Sequence, residues 1–150
     1  DRIAERFDRA SRTEMFMHGH SFTGNPLACA AANASLDLFE EADTWQNIER
    51  ISHRHATALP RFRSLPSVKD VRCCGTILAV ELQAPDAGYL SALGPVLYDA
   101  FLARDVLLRP LGQTLYILPP YVITDAELER LYSEIETQLP LLEQKVSRLS

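Results

Sequence analysis

Apolar side chains recur every three or four residues in three segments of the chain. This spacing predicts amphipathic helices over residues 44–63, 95–104 and 124 to about 139. The pattern is fullest in the first of these segments, through Trp45, Ile48, Ile51, His55, Ala58, Leu59 and Phe62. We expect Pro60 to end or bend helix 44–63 and Pro140 to interrupt the last helix. Proline has no N–H to donate, and its ring clashes with the preceding turn.

Alternating apolar and polar residues predict short strands between these helices. Residues 68–73 and 76–82 have the pattern of two adjacent strands, and residues 106–108 of a third with residues 114–118 as its hairpin partner. The alternation in the second strand places three side chains on a buried face, Leu78, Val80 and Leu82. The order of elements predicts an α/β fold of the two-layer α+β type, in which helices pack on one face of a small, mainly antiparallel sheet.

Two helices begin with recognisable caps. Asn25 is a good N-cap, Pro26 suits the first helical position, and the alanine-rich residues that follow predict a helix over residues 26–41. Thr124 followed three residues later by Glu127 is the capping box of the last helix.

The turn before Pro26 is rich in hydroxyl groups and glycine, through Gly19, Ser21, Thr23 and Gly24. Unpaired N–H groups and the positive end of the helix dipole would make this helix start a site for phosphate. The same residues also fit a helix that is merely well capped. The residue pattern by itself leaves both interpretations open.

The composition excludes several classes of partner. The chain has 150 residues, a net charge of −5 and 47% hydrophobic residues, which disfavours nucleic acid and anionic membrane surfaces. No apolar run approaches the ~20 residues of a membrane span, and no signal peptide is evident. Three cysteines do not make a disulfide framework, so we expect a cytoplasmic protein in which Cys29 is a small buried hydrophobe. The charged start without methionine is typical of a fragment or a C-terminal domain.

Few residues are candidates for chemistry on pattern alone. Arg109 follows the apolar residues 106–108, where a buried guanidinium would need a carboxylate or phosphate, although an exposed arginine at a hairpin mouth fits equally well. Tyr116 either lines a pocket or packs. The chain has two lysines, Lys69 and Lys145, both in polar surroundings where we expect them to be solvated. Two close histidine pairs lack the further ligands of a zinc site, so we expect no metal.

Three runs of residues resemble class III, ornithine-type pyridoxal-phosphate aminotransferases. The run HGHSFTGNPLACA at residues 18–30 is similar to the entry into the small domain of that family. The runs LRPLG at 108–112 and YILPPYVIT at 116–124 extend the resemblance over most of the chain. This implies the small C-terminal domain of a fold-type I enzyme over residues 26–150, preceded by a connecting segment and phosphate turn over residues 1–25.

The resemblance also implies roles for particular residues. Ser21 matches a threonine whose hydroxyl and amide hold the phosphate of pyridoxal 5′-phosphate, in the active site of the neighbouring subunit of a homodimer. His20 matches a position close to the cofactor, and Gly19 one close to the substrate. Arg109 matches an arginine that receives a substrate carboxylate, and Tyr116 a tyrosine near the substrate. Leu111 stands where some members have an aromatic residue.

Within the family, the last two runs favour the biotin-pathway branch. The resemblance then implies transfer of the amino group of S-adenosylmethionine to 8-amino-7-oxononanoate, giving 7,8-diaminononanoate. The lysine that binds the cofactor belongs to the large domain, so this chain contains no catalytic residue and is expected to be inactive alone. The alternatives are another ω-amino acid aminotransferase, of the ornithine or 4-aminobutyrate type, and a stand-alone module without catalysis.

Overall fold

A computed structural model of the chain describes residues 2, 5, 7, 18–84, 88 and 91–147, with side chains as far as residue 142. The chain divides into two compact units, Asp1–Glu40 and Glu41–Ser150. The division lies after the first helix rather than before it. The boundary at residue 25 between parts of a large and a small domain stays a prediction.

The first unit contains one regular helix, α1, over Pro26–Asp37, followed by a 3₁₀ turn over Leu38–Glu40. As predicted, Asn25 is its N-cap and Pro26 its first residue. No described residue of this unit is buried, although α1 is largely apolar and Leu27 is 83% exposed. Cys29 is exposed too, so the prediction of a buried thiol is wrong for this structure, because α1 has no packed face here.

The second unit is a small antiparallel sheet with helices, as the sequence predicted, but the sheet has three strands in the described residues rather than the four expected. Its helices are α2 over Ala42–Arg63, α3 over Leu93–Leu102 and α4 over Asp125–Ser147. Its strands are β1 over Val68–Cys74, β2 over Ile77–Leu82 and β3 over Thr114–Ile117. The strand order is β1-β2-β3, with Arg72, Ala79 and Tyr116 in register across the sheet.

One face of the sheet forms the core with the helices. The strands contribute Val71, Leu78, Val80, Leu82, Leu115 and Ile117, and α4 contributes Leu128, Tyr132, Ile135 and Leu139. On α2 the buried residues are Ile51, His55, Ala58 and Phe62, spaced by four, three and four. This spacing is the stripe that an amphipathic helix presents to a core. Arg61 ties α2 to α4 through carboxylates at 2.7 Å on Glu129 and Glu136.

The prediction of a hairpin between residues 106–108 and 114–118 is wrong. In the described residues the ladder partner of β3 is β2, and residues 106–108 have no place in a strand. A single bridge, Leu111 with Thr114, closes the turn beyond Pro110. Proline has no N–H and is confined to the margins of sheets, so Pro110 does not favour a longer ladder.

Both prolines expected to break helices lie inside them. α2 continues beyond Pro60 to Arg63, and α4 continues beyond Pro140 to Ser147. The residues just past each proline are buried, Phe62 after Pro60 and Leu142 after Pro140. Burying a large apolar side chain contributes about 1.5–3 kcal/mol, which is comparable with the ~3 kcal/mol that an interior proline costs. Tertiary packing therefore offsets the local penalty.

Candidate functional site

The turn that leads into α1 is held by Thr23. Its Oγ1 accepts from the backbone N–H of His20 at 2.9 Å and lies 3.0 Å from Nδ1 of the same residue. The His20 ring also stacks on Phe22, with 3.8 Å between ring centroids. The hydroxyl of Thr23 is therefore used within the turn. Ser21 lies in the same turn, is exposed and makes no hydrogen bond to the described part of the chain.

The start of α1 offers no free amide in its first turn. Pro26 has no N–H, and the side-chain oxygen of Asn25 accepts from Leu27 at 3.0 Å and Ala28 at 3.2 Å. The N–H of Cys29 donates to the carbonyl of Asn25 at 2.9 Å. In this structure the first-turn amides of α1 are therefore paired with Asn25, and the phosphate site at this turn stays a prediction. Any anion at this turn would meet Ser21 and its own backbone amide instead.

Arg109 and Tyr116 line one open cleft of about 600 Å³ in the second unit. Arg109 is exposed, and no carboxylate of the described residues forms an ion pair with it. The bridge between Leu111 and Thr114, with N–H···O distances of 2.8 and 3.0 Å, makes the turn that brings Arg109 and Tyr116 to the same side. The two substrate-binding candidates from the sequence are thus brought together.

The other wall of the cleft is a face of α3 that the sequence analysis did not single out. Pro95, Tyr98 and Asp99 line it, opposite the buried Leu97 and Phe101. The spacing of these residues places them on one side of the helix, because residues three and four apart share a helix face. The spacing does not indicate a cleft, because any surface helix has a polar face opposite its buried one. Val96, also on α3, is 41% exposed.

The start of α3 lies very close to the turn after Arg109. A Cβ atom added to Gly94 would stand 3.3 Å from the backbone oxygen of Gly112, which is tighter than most contacts of real Cβ atoms. Gly112 itself has a φ of 59°, a conformation that glycine adopts without strain. Two glycines therefore let the backbone of one wall of the cleft approach that of the other.

A buried polar cluster lies elsewhere in the second unit. Nδ1 of His55 is 2.7 Å from the hydroxyl of Tyr132, and Nε2 is 3.1 Å from the carbonyl oxygen of Thr76. Burial lowers the pKa of His55 and raises the pKa of Tyr132 to about 12. Because Nε2 must donate to the carbonyl, Nδ1 accepts from the tyrosine hydroxyl in the neutral ring. The cluster joins α2, α4 and the β1–β2 turn.

Other kinds of site find no support in the part of the chain that the structure describes. No group of three histidine, cysteine, aspartate or glutamate side chains there is arranged to hold a metal ion. Among the same residues, no helix combines the length and apolar composition of a bilayer span. Lys69 is exposed and paired with Glu81 at 2.7 Å, whereas the side chain of Lys145 lies outside the described residues.

The chain resembles known aminotransferases in sequence and in structure. It is 39% identical over 133 residues to adenosylmethionine-8-amino-7-oxononanoate aminotransferase of Synechococcus elongatus, covering 89% of this chain and 31% of that protein. It is 42% identical over 123 residues to the protein of the same name from Nitratidesulfovibrio vulgaris, covering 77% and 22%. The crystal structure of the Methanocaldococcus jannaschii protein of that name superimposes with a TM-score of 0.73 at 26% identity, covering 90% and 32%.

These likenesses define the fold as part of an aminotransferase. The sequence also matches the family described as Aminotransferase class-III over residues 1–139. The chain belongs to the class III aminotransferase family, whose members depend on pyridoxal phosphate. It spans less than a third of the length of the two curated relatives.

Proposed function

We propose that the chain is the C-terminal part of an enzyme that transfers the amino group of S-adenosylmethionine to 8-amino-7-oxononanoate. The unpaired Arg109 in a cleft beside Tyr116 is the observation that carries this proposal. Relatives at 39% and 42% identity with that activity in their names support it. We further propose a cytoplasmic homodimer with shared active sites.

Arg109 would receive the single carboxylate of the keto acid. An arginine presents its N–H donors in a planar fork that matches a carboxylate, and Arg109 has no competing partner among the described residues. Tyr116 lines the same cleft and is half-buried, so its ring would pack against the aliphatic part of the substrate. Gly19 is proposed to approach the substrate from the turn before α1.

Ser21 would hold the phosphate of the cofactor through its hydroxyl and backbone amide. The residues present fit this group, because Thr23 satisfies His20 within the turn and leaves the Ser21 hydroxyl available. His20, stacked on Phe22, would lie close to the cofactor. When bound, the cofactor carries the amino group between donor and acceptor. The lysine that this chemistry requires is proposed to belong to the preceding large domain.

Arg109→Ala in the full-length protein tests the role of the cleft. We expect the keto-acid half-reaction to slow by about 30- to 5,000-fold and the donor half-reaction to change less than about threefold. Removing a charge-assisted pair costs on the order of 2–5 kcal/mol. Rapid-mixing measurements on each half-reaction give the two rates. Arg72→Ala removes an exposed arginine that pairs with Asp70 and Glu81, and serves as the control. A loss of less than threefold in the keto-acid half-reaction would exclude carboxylate capture by Arg109.

The identity of the donor is tested with the unmodified full-length protein. S-adenosylmethionine should change the absorption spectrum of the bound cofactor, whereas ornithine and 4-aminobutyrate should not. A response to ornithine or 4-aminobutyrate alone would reject the proposed donor and favour the ω-amino acid alternative. A full-length protein without any such response would favour the non-catalytic module.

The phosphate role of Ser21 has its own test. Ser21→Ala should raise the dissociation constant of pyridoxal phosphate, about tenfold for one lost hydrogen bond to a charged group. Ser21→Thr keeps the hydroxyl and should restore wild-type affinity. Equilibrium dialysis of the full-length protein against the cofactor measures both. Equal affinities for all three proteins would remove Ser21 from the phosphate site.

A further inference from the structure

The described lining of the cleft that contains Arg109 also includes one negative side chain. Asp99 lies on the cleft face of α3, next to Tyr98, and is exposed. No arginine, lysine or histidine of the described residues forms an ion pair with it. Arg109 likewise has no ion-pair partner in the part of the chain that the structure describes. The described lining therefore contributes one cation and one anion, and no described neighbour neutralises either charge.

The two charges line the cleft from different elements, Asp99 from α3 and Arg109 from the turn that precedes β3. Asp99 belongs to a helix whose buried side is anchored by Leu97 and Phe101, so the helix is not free to rotate about its axis. The close approach of Gly94 to Gly112 fixes the start of that helix against the turn after Arg109. A ligand bound at Arg109 consequently lies in the field of Asp99 as well.

Such a pair of charges discriminates between ligands by their number of carboxylates. A ligand with one carboxylate gains the attraction of Arg109 and meets one repulsion from Asp99. A short ligand with two carboxylates has two negative charges but one arginine to attract them. Asp99 repels both carboxylates. Coulomb energies between unit charges in a solvated cleft are on the order of 1 kcal/mol at 4 Å, which is enough to alter preference severalfold.

We propose that Asp99 is a specificity-determining residue of this cleft, which disfavours dicarboxylates and restricts the site to ligands with one carboxylate. The inference rests on the proposed role of Arg109 as carboxylate receptor. It adds a residue that selects for the single carboxylate of the acceptor. A short dicarboxylic keto acid such as 2-oxoglutarate is disfavoured severalfold by the charge of Asp99.

Two ligands of equal length test the proposal without catalysis. Pentanoate has one carboxylate and pentanedioate has two on the same five-carbon chain. Calorimetric titration of the full-length protein gives the dissociation constant of each for the wild type and for Asp99→Asn. We expect the variant to bind pentanoate about threefold and pentanedioate about tenfold more tightly, because the second ligand loses two repulsions of similar size.

Two controls separate the possible outcomes. Glu49→Gln removes one exposed negative charge on α2 and should leave the ratio of the two dissociation constants unchanged. Arg109→Gln should weaken both ligands at least tenfold. If Asp99→Asn leaves the ratio of the two dissociation constants unchanged while Arg109→Gln weakens binding, the role of Asp99 is overturned and that of Arg109 stands. Unchanged binding in Arg109→Gln would overturn carboxylate capture and the role of Asp99 together. A donor other than S-adenosylmethionine would reject the proposed reaction and leave a shifted ratio in Asp99→Asn as support for this proposal.

Discussion

The two helices α1 and α4 use apolar residues in different ways. α4 places Leu128, Ile135 and Leu139 on one stripe, and each is at most 2% exposed. α1 is apolar on most of its surface, yet none of its residues is buried. A helix that is apolar all round is typical of the interior of a larger protein. The apolar stripe of α4 is thus buried within this chain, whereas α1 has the composition of a helix that another segment covers.

The largest test of this difference removes one leucine from each helix. Leu128→Ala should lower the free energy of unfolding of the 150-residue chain by about 3–5 kcal/mol, because it opens a cavity in the core. Leu27→Ala should change it by less than about 0.5 kcal/mol, because that side chain is 83% exposed. Urea titration followed by tryptophan fluorescence measures both. A loss above ~1.5 kcal/mol from Leu27→Ala would show that α1 is already packed in this chain.

The buried His55 of the second unit should make the stability of the chain sensitive to acid. Burial holds the pKa of His55 below 6.5, so the folded chain binds this proton less readily than the unfolded chain. Stability from this source is complete above pH 6.5 and is lost as the pH falls from 6.5 towards the lowered pKa, by up to about 1.4 kcal/mol per pH unit. Tyr132, the hydroxyl partner, does not titrate in this range, because its pKa is raised to about 12.

Urea titrations between pH 7.5 and 5 measure this dependence. His55→Gln should flatten it, whereas His20→Gln in the exposed turn of the first unit should leave it as in the wild type. The same slope in all three proteins would assign the acid sensitivity to other groups.

The smallest expected effect distinguishes the two helix caps. Thr124 accepts from the N–H of Glu127 at 3.2 Å, and Glu127 accepts from the N–H of Thr124 at 2.8 Å. Thr124→Ala should therefore cost about 1 kcal/mol of unfolding free energy. Asn25→Ala should leave the unfolding midpoint unchanged and reduce the helical circular dichroism signal, because α1 has no buried residue. A lowered midpoint for Asn25→Ala would contradict that expectation.

The sequence correctly predicted those parts of the fold that depend on interactions between residues close together in the chain. The capping box at Thr124, the cap at Asn25 and the strands on either side of Gly75 are all present in the structure. Each depends on residues within a few positions of one another. The family resemblance was likewise confirmed, because it depends on runs of neighbouring residues.

The errors have non-local causes. Helix α4 is not interrupted at Pro140, because burial of Leu142 offsets the missing hydrogen bond, whereas α2 contains Pro60 and ends at Arg63 as predicted. β3 pairs with β2, which lies more than 30 positions earlier in the chain, so no local pattern at residues 106–108 could exclude the wrong hairpin. The position of Asp99 in the cleft could not be predicted for the same reason, because only the folded unit brings it close to Arg109.

The turn closed by Leu111 and Thr114 places two lining residues of the cleft on one short segment of the chain. Arg109 and Tyr116 stand at the two ends of one short, continuous segment, and its far end is anchored in the sheet through the pairing of Tyr116 with Ala79. We expect that this segment can be exchanged as a unit between family members. The exchange should leave the buried face of the sheet unchanged. Such an exchange would replace the carboxylate receptor and leave Asp99 on α3 in place.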